Sequence, residues 1–194
     1  MPTADDLAKL YATPHQHTRW ADHVMRANVT VAMGMSWPMT VAGRRAQGAR
    51  KPLVADLSCG DAWIPRQLAQ ALSGDVLLGD FAPGYDLTGP IEKTAAQFAG
   101  SGQGRADLFV CSETIEHLDD PDAVLVQVRE CANTLLLSTP EGEADDRNPE
   151  HVWGWDAPDV EAMLADTGWT TLVHTTLDLR PAGFLYSFGI WLAQ

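Results

Sequence analysis

The chain has 194 residues, 45% of them hydrophobic, which fits an ordinary globular protein of one domain with a full core. Its 26 acidic and 13 basic side chains leave a formal charge of −13, which opposes counterion-release binding to nucleic acid and favours a small or cationic partner. Three widely spaced cysteines, Cys59, Cys111 and Cys131, form no CxxC pair, and the N-terminal stretch "MPTADDLAKLYATPHQH" has neither the pattern of a secretory leader nor an apolar run able to span a bilayer, so free thiols and a cytoplasmic location are expected.

Two helices are predicted first, over Asp5 to Tyr11 and over Arg19 to about Met35, the second with Trp20, Val24, Ala27 and Val31 at three- and four-residue steps. Trp20 is expected in the core. "GRRAQGARKP", Gly43 to Pro52, reads as an exposed connector, with basic residues set between glycines and a closing proline. A strand over Leu53 to Leu57 follows. Next comes a helix from about Trp63 to Leu72, with Ile64, Leu68 and Leu72 on one face and Pro65 in the tolerated first turn.

Strands are then predicted over Val76 to Leu78 and near Tyr85 to Thr88, a short helix in "GPIEKTAAQFA", and a buried strand in "ADLFVCS". Asp120 caps a helix that begins at Pro121 and turns Val124, Leu125, Val128 and Cys131 inward. A strand over Thr134 to Ser138, a polar loop "PEGEADDRNPE" and a helix that starts near Asp156 and stops before Gly168 come next. The chain ends in two facing strands, Thr170 to Asp178 and Phe184 to Leu192, joined by "RPAG". Strand and helix alternation predicts a parallel sheet covered on both faces, and the final hairpin adds one antiparallel strand. Within 1–194 read as a single domain, residues 1–42 form a helical N-terminal segment and 53–194 the core.

The first strand ends on Asp56 and passes into a turn of small residues, Ser58, Cys59, Gly60 and Ala62, before a helix. Such a turn brings main-chain N–H groups close to a ligand. No G-x-x-x-x-G-K-[ST] for a nucleoside triphosphate is present, no G-x-G-x-x-G follows the first strand, and no G-x-S-x-G nucleophile elbow occurs.

From Leu53 onward the sequence resembles the class I S-adenosylmethionine-dependent methyltransferases, whose first strand ends in D-x-G-x-G-x-G. Asp56, Ser58, Gly60 and Ala62 stand at those places, so one of three glycines is kept. A second mark is Asp80 in "LLGDF", where an acidic residue at the end of the second strand meets the ribose hydroxyls of the cofactor. The resemblance implies a Rossmann-like fold with a mostly parallel seven-stranded sheet, a C-terminal antiparallel hairpin strand and a helical N-terminal lid. It also implies a cofactor site of Asp56, Ser58, Cys59, Gly60, Asp80, Phe81, Ile91, Glu92 and Ser112.

"CSETIEHLDDPD" at the end of the fourth predicted strand is similar to the E-x-x-E-H of UbiG-type O-methyltransferases and Hen1-type RNA 2′-O-methyltransferases, through Glu113, Glu116 and His117. "EHVWGWD" adds His151, Trp153 and Trp155. The Hen1 resemblance implies that Glu113, Glu116, His117 and His151 hold Mg²⁺ or Mn²⁺; the alternative is that His117 or His151 serves as a base. Glu113, His117 and His151 are the catalytic candidates.

The expected reaction is methyl transfer to a small molecule, at a hydroxyl oxygen first. The alternatives are an RNA end, against which the charge counts, and cofactor binding without catalysis, which the missing glycines suggest. Tyr11, His15, His17, Trp20, His23 and Arg26 are lid candidates, against the simpler reading of a surface helix packed on the sheet. Trp63, Trp169 and Trp191 read as packing residues, whereas Trp153 and Trp155 sit near the expected site.

Overall fold

The computed structural model describes residues 9–10, 12–14, 16, 19–46, 50–102, 104–142, 148 and 150–194. The predicted helix Asp5 to Tyr11 lies outside these apart from Lys9 and Leu10, and Tyr11, His15 and His17 lie outside them as well. The helices are α1 (Ala21–Gly34), α2 (Val41–Ala46), α3 (Trp63–Ala71), α4 (Ile91–Gly100), α5 (Pro121–Cys131) and α6 (Ala157–Asp166). The strands are β1 (Leu53–Asp56), β2 (Asp75–Asp80), β3 (Leu87–Thr88), β4 (Leu108–Ser112), β5 (Leu135–Glu141), β6 (Thr171–Asp178) and β7 (Ser187–Ala193).

All seven strands form one sheet in the order β3-β2-β1-β4-β5-β7-β6. The first five run parallel, and β7 enters antiparallel between β5 and β6. Strand period sorts the core into two layers. Val54, Leu108, Val110, Leu136 and Ile190 face α1 and α3, together with Ala27, Ile64 and Leu68. Their strand neighbours Ala55, Phe109, Cys111, Leu135 and Leu137 face α4, α5 and α6, with Phe98, Val124, Val128 and Leu164. Burial on both faces is why these strands read as continuous apolar runs.

The cap on α5 is as expected: the Asp120 carboxylate accepts the Ala123 N–H at 2.9 Å and Pro121 takes the first turn. Two readings change. The connector predicted from Gly43 begins inside α2, and Gly43 is buried so close to the preceding turn that a Cβ there would stand 2.2 Å from the Trp37 carbonyl oxygen. Trp20, expected in the core, is 45% exposed, and the buried tryptophan of this region is Trp37, whose indole N–H donates to Thr134 Oγ1 at 3.2 Å. The helical period placed Trp20 on the inner face, but it is the N-cap residue, outside the helix whose periodicity it was given. Trp169 and Trp191 are buried and Trp63 is half-buried.

Strand order reverses between β1 and β4, one running toward the β2 edge and the other toward the β5 edge. In open α/β sheets this divergence leaves a crevice at the carboxyl ends of the strands, and there the chain gathers its polar residues.

Candidate active site

A cavity of about 400 Å³ occupies that crevice. One end is made by the loops after β1 and β2 and the start of α4, the other by the segment after β4, the loop before α6 and the start of β7.

At the first end the backbone is held by carboxylates. Gly60 N donates to Asp80 Oδ2 at 2.8 Å and Ala82 N to Asp80 Oδ1 at 3.0 Å, so one side chain ties the β1 turn to the β2 turn. Each oxygen keeps lone-pair capacity toward the cavity, which Asp80 lines. Burial pushes the Asp80 carboxyl above its ordinary range, opposed by the amides of Ala82 and Gly60. The turn passes through two left-handed residues, Gly60 at φ 54° and Ala62 at φ 61°. At one of the two positions where the resembled motif has a further glycine, Ala62 adopts the glycine conformation, at a cost of roughly 1–2 kcal/mol.

Of the residues expected at a cofactor, Ser58, Gly60, Asp80, Phe81, Ile91, Glu92 and Ser112 line the cavity. Asp56 and Cys59 stand behind its wall. Asp56 is buried and accepts the Ser58 N–H at 3.1 Å, bracing the turn from behind, and burial lifts its carboxyl well above the usual range. Cys59 is buried and burial likewise raises its thiol.

Between the ends lies a buried polar chain. Arg26 on α1 is 0% exposed, and its Nη1 donates to Ser112 Oγ at 2.5 Å. Ser138 Oγ donates to Glu113 Oε1 at 3.1 Å, so in the 2.7 Å contact between the two serines the hydrogen comes from Ser112. The chain therefore runs one way, from guanidinium through two hydroxyls to carboxylate. Glu113 Oε1 also lies 3.7 Å from Arg26 Nε. Glu113 is held at φ 52°, with its N–H on the Ser138 carbonyl at 2.8 Å. Arg26 Nε and Nη2 have no hydrogen-bond acceptor among the described residues, and Arg26 lines the cavity. The arginine appeared in the sequence only as one of several lid candidates; its depth was hidden because a lone arginine in a helix ordinarily faces water. The helix carrying it packs on the sheet and also supplies His23 and Arg26 to the cavity wall.

The other end collects the E-x-x-E-H segment. A short turn, residues Ile115–His117, is fastened to the loop before α6, since Val152 and Trp153 donate to the Glu116 carbonyl at 2.7 and 3.3 Å. This sets His151 against His117, ring centroids 4.9 Å apart. His117 Nδ1 lies 3.0 Å from the Glu150 carbonyl, which only accepts, so Nδ1 carries hydrogen and the neutral ring presents Nε2 as its lone-pair nitrogen. That Nε2 is 3.9 Å from Glu116 Oε1. The Glu150 N–H fixes the Asn148 amide through Oδ1 at 3.1 Å, turning Asn148 Nδ2 toward His151 Nε2 at 3.0 Å.

Glu116 is 1% exposed. Its Oε2 accepts from Thr139 Oγ1 at 3.1 Å, and Oε1 has no hydrogen-bond partner among the described residues. Burial first, and the Glu113 charge second, push its carboxyl up to about 8.

Glu116, His117 and His151 each bring a donor atom within 4.8 Å of the others. Two imidazoles and a carboxylate suit a divalent cation in kind, with Thr139 and the Glu150 carbonyl as outer supports, although the Asn148 amide occupies His151 Nε2. Glu113, the fourth expected ligand, is turned to Arg26 and Ser138 and stands outside this group. Trp153 and Trp155 stack at 5.5 Å, and the Trp153 indole N–H donates to the Leu118 carbonyl at 2.8 Å; Leu118 lines the cavity. Tyr186 and Phe188, which also line it, come from the final hairpin and carried no sequence signal beyond strand propensity. No helix among the described residues is long and apolar enough to cross a membrane.

No family model and no curated protein matches the sequence. Solved structures do match the fold. Magnesium protoporphyrin IX methyltransferase from Synechocystis PCC 6803, with S-adenosylhomocysteine bound, aligns at TM-score 0.60 and 16% identity over 99% of this chain and 94% of its own. The 1,6-didemethyltoxoflavin-N1-methyltransferase of Burkholderia thailandensis, with 1,6-didemethyltoxoflavin and S-adenosylhomocysteine bound, aligns at 0.58 and 16% identity over 93% and 92%. The 4+2 cyclase SpnF aligns at 0.63 and 10% identity over 99% and 96%. At such identities the likeness is one of architecture: the chain has the Rossmann-like fold of S-adenosylmethionine-dependent methyltransferases.

Proposed function

We propose that the protein transfers the methyl group of S-adenosylmethionine to a small-molecule acceptor, at a hydroxyl oxygen in the first instance. The observation that carries this reading is the pairing, across one cavity, of Asp80 braced on two backbone amides with a buried Arg26 whose Nε and Nη2 hydrogens have no acceptor among the described residues. The first suits a vicinal diol and the second a carboxylate, the two polar extremities of an adenosyl amino acid. Phe81, Ile91 and Glu92 line the wall beside Asp80, where an adenine ring would lie. Structural neighbours that carry S-adenosylhomocysteine support the same ligand.

S-adenosylmethionine brings a methyl group already activated on a sulfonium. What the chain must add is alignment of the acceptor and a place for its proton. His117 is built for the second task, because the Glu150 carbonyl fixes the tautomer that leaves Nε2 to accept. Glu116 would stabilise the imidazolium so formed. A divalent cation on Glu116, His117 and His151 would instead lower the pKa of the hydroxyl by direct coordination. Incubation with methyl-labelled S-adenosylmethionine and a panel of hydroxyl acceptors, with and without chelator, tests both. Labelled product in chelator supports the histidine base, and product only with added Mg²⁺ or Mn²⁺ supports the cation.

The cyclase among the neighbours favours one second reading, in which the cavity holds the cofactor without methyl transfer. Binding of S-adenosylmethionine with no S-adenosylhomocysteine released on any acceptor would favour it.

A further inference from the structure

The charge of the cavity is uneven, and its acceptor end says something about what enters. Glu116, Asp119 and Glu150 line that end with no described lysine or arginine among them, while Arg26 and Glu113, set against each other, lie between the ends. Lys93, the other basic liner, belongs to the first turn of α4 beside Gly89, at the opposite end.

Surface carboxylates would mean little, but Glu116 is not on the surface. It is almost fully buried, it lines the cavity, and Thr139 orients it through one oxygen while the other has no hydrogen-bond partner among the described residues. An oxygen desolvated in this way is complementary to an N–H donor and unfavourable to an anion. Leu118, Pro140 and Tyr186 line the same cavity, apolar or aromatic walls able to hold a flat body, with the Tyr186 ring able to face a cation, while the Phe188 ring already lies under the Arg26 guanidinium.

We propose that this end selects an acceptor carrying a cationic nitrogen, held against Glu116 apart from the atom that is methylated, and rejects acceptors carrying a carboxylate. The inference rests on the cofactor reading above. It also gives the net charge of −13 a use, since a field of that sign raises the local concentration of a cationic partner.

The test uses the full chain saturated with S-adenosylhomocysteine, in chelator at about pH 8.5, where Glu116 is mostly ionised and an aliphatic amine is still cationic, and three probes that share a phenol ring: tyramine, 4-ethylphenol and 3-(4-hydroxyphenyl)propanoate. Tyramine binds about tenfold or more tightly than the neutral phenol, and the propanoate most weakly, as expected when electrostatic complementarity sets the discrimination. Glu116→Gln lowers tyramine affinity more than it changes phenol affinity, so that the ratio between the two probes falls toward one, with S-adenosylhomocysteine affinity as the check on folding. Thr139→Val, which releases Glu116 Oε2, gives a partial loss and serves if the glutamine variant does not fold. Equal binding of the three probes, tighter binding of the propanoate, or an equal change for all three in the variants overturns the proposal. A protein that fails to take up S-adenosylhomocysteine refutes the functional reading itself, before any acceptor probe is added.

Discussion

The two ends of the cavity are made differently. Around Asp80 the working groups are one carboxylate and the two backbone turns whose amides, at Gly60 and Ala82, hold it in place. Around Glu116 they are titratable side chains, brought from the β4 turn, the loop before α6 and β7. A backbone site depends on local turn geometry and tolerates Ser58 and Ala62 where the resembled motif has glycine. A side-chain site depends on long-range packing, because each member is oriented by a partner far away in sequence. Arg26, 86 residues before Ser112, joins the two.

The largest effect is expected where the join is cut. Arg26→Met leaves Glu113 as a half-buried carboxylate without its cation, and breaking a buried ion pair from one side costs about 3–5 kcal/mol. Urea unfolding should show that loss, and Arg26→Met combined with Glu113→Gln should recover part of it. Full recovery of stability would not restore S-adenosylhomocysteine affinity, since the arginine would still be missing from the cofactor.

Asp80→Ala comes next and tests the backbone end alone. It removes the acceptor of two amides and the group proposed to meet the ribose, so S-adenosylhomocysteine affinity should fall by about 100-fold, the worth of one or two charge-assisted hydrogen bonds. An equal fall in tyramine affinity would show that the ends are not separable.

Glu116 tests the side-chain end through pH. Its folded-state pKa lies near 8 against an ordinary 4.5, so between these values the folded protein binds more protons than the unfolded one. Stability from this group is fully present below about 4.5 and is lost as pH rises toward 8. Glu116→Gln should flatten the fall in melting temperature across that window, and an unchanged slope would place the titration elsewhere.

Trp153→Ala should do least. The indole is 40% exposed and gives one hydrogen bond, to the Leu118 carbonyl, so a stability loss of about 1 kcal/mol is expected, with S-adenosylhomocysteine affinity unchanged and acceptor KM raised.

The same contrast governs what could be read from the chain beforehand. Strand and helix alternation, the terminal hairpin and the Asp56 to Ala62 turn are local patterns, and all stand in the fold close to where periodicity put them. Asp80 was legible through the family resemblance, and the structure ties it to that turn through the Gly60 N–H. The E-x-x-E-H segment was legible as a cluster, but what each member does was not. Spacing puts Glu113 beside Glu116, whereas the left-handed backbone at Glu113 turns it to Ser138 and Arg26, away from the histidines. Trp20 and Trp37 were exchanged for a related reason, since burial at a helix end depends on where the helix begins, which a periodic pattern does not mark.

Calorimetric titration of the wild-type chain with S-adenosylmethionine and S-adenosylhomocysteine tests the central claim most directly. Saturable one-to-one binding of both, weakened by about 100-fold in Asp80→Ala and weakened also in Arg26→Gln, is the predicted result. No heat from either compound would contradict the account, as would binding indifferent to both substitutions.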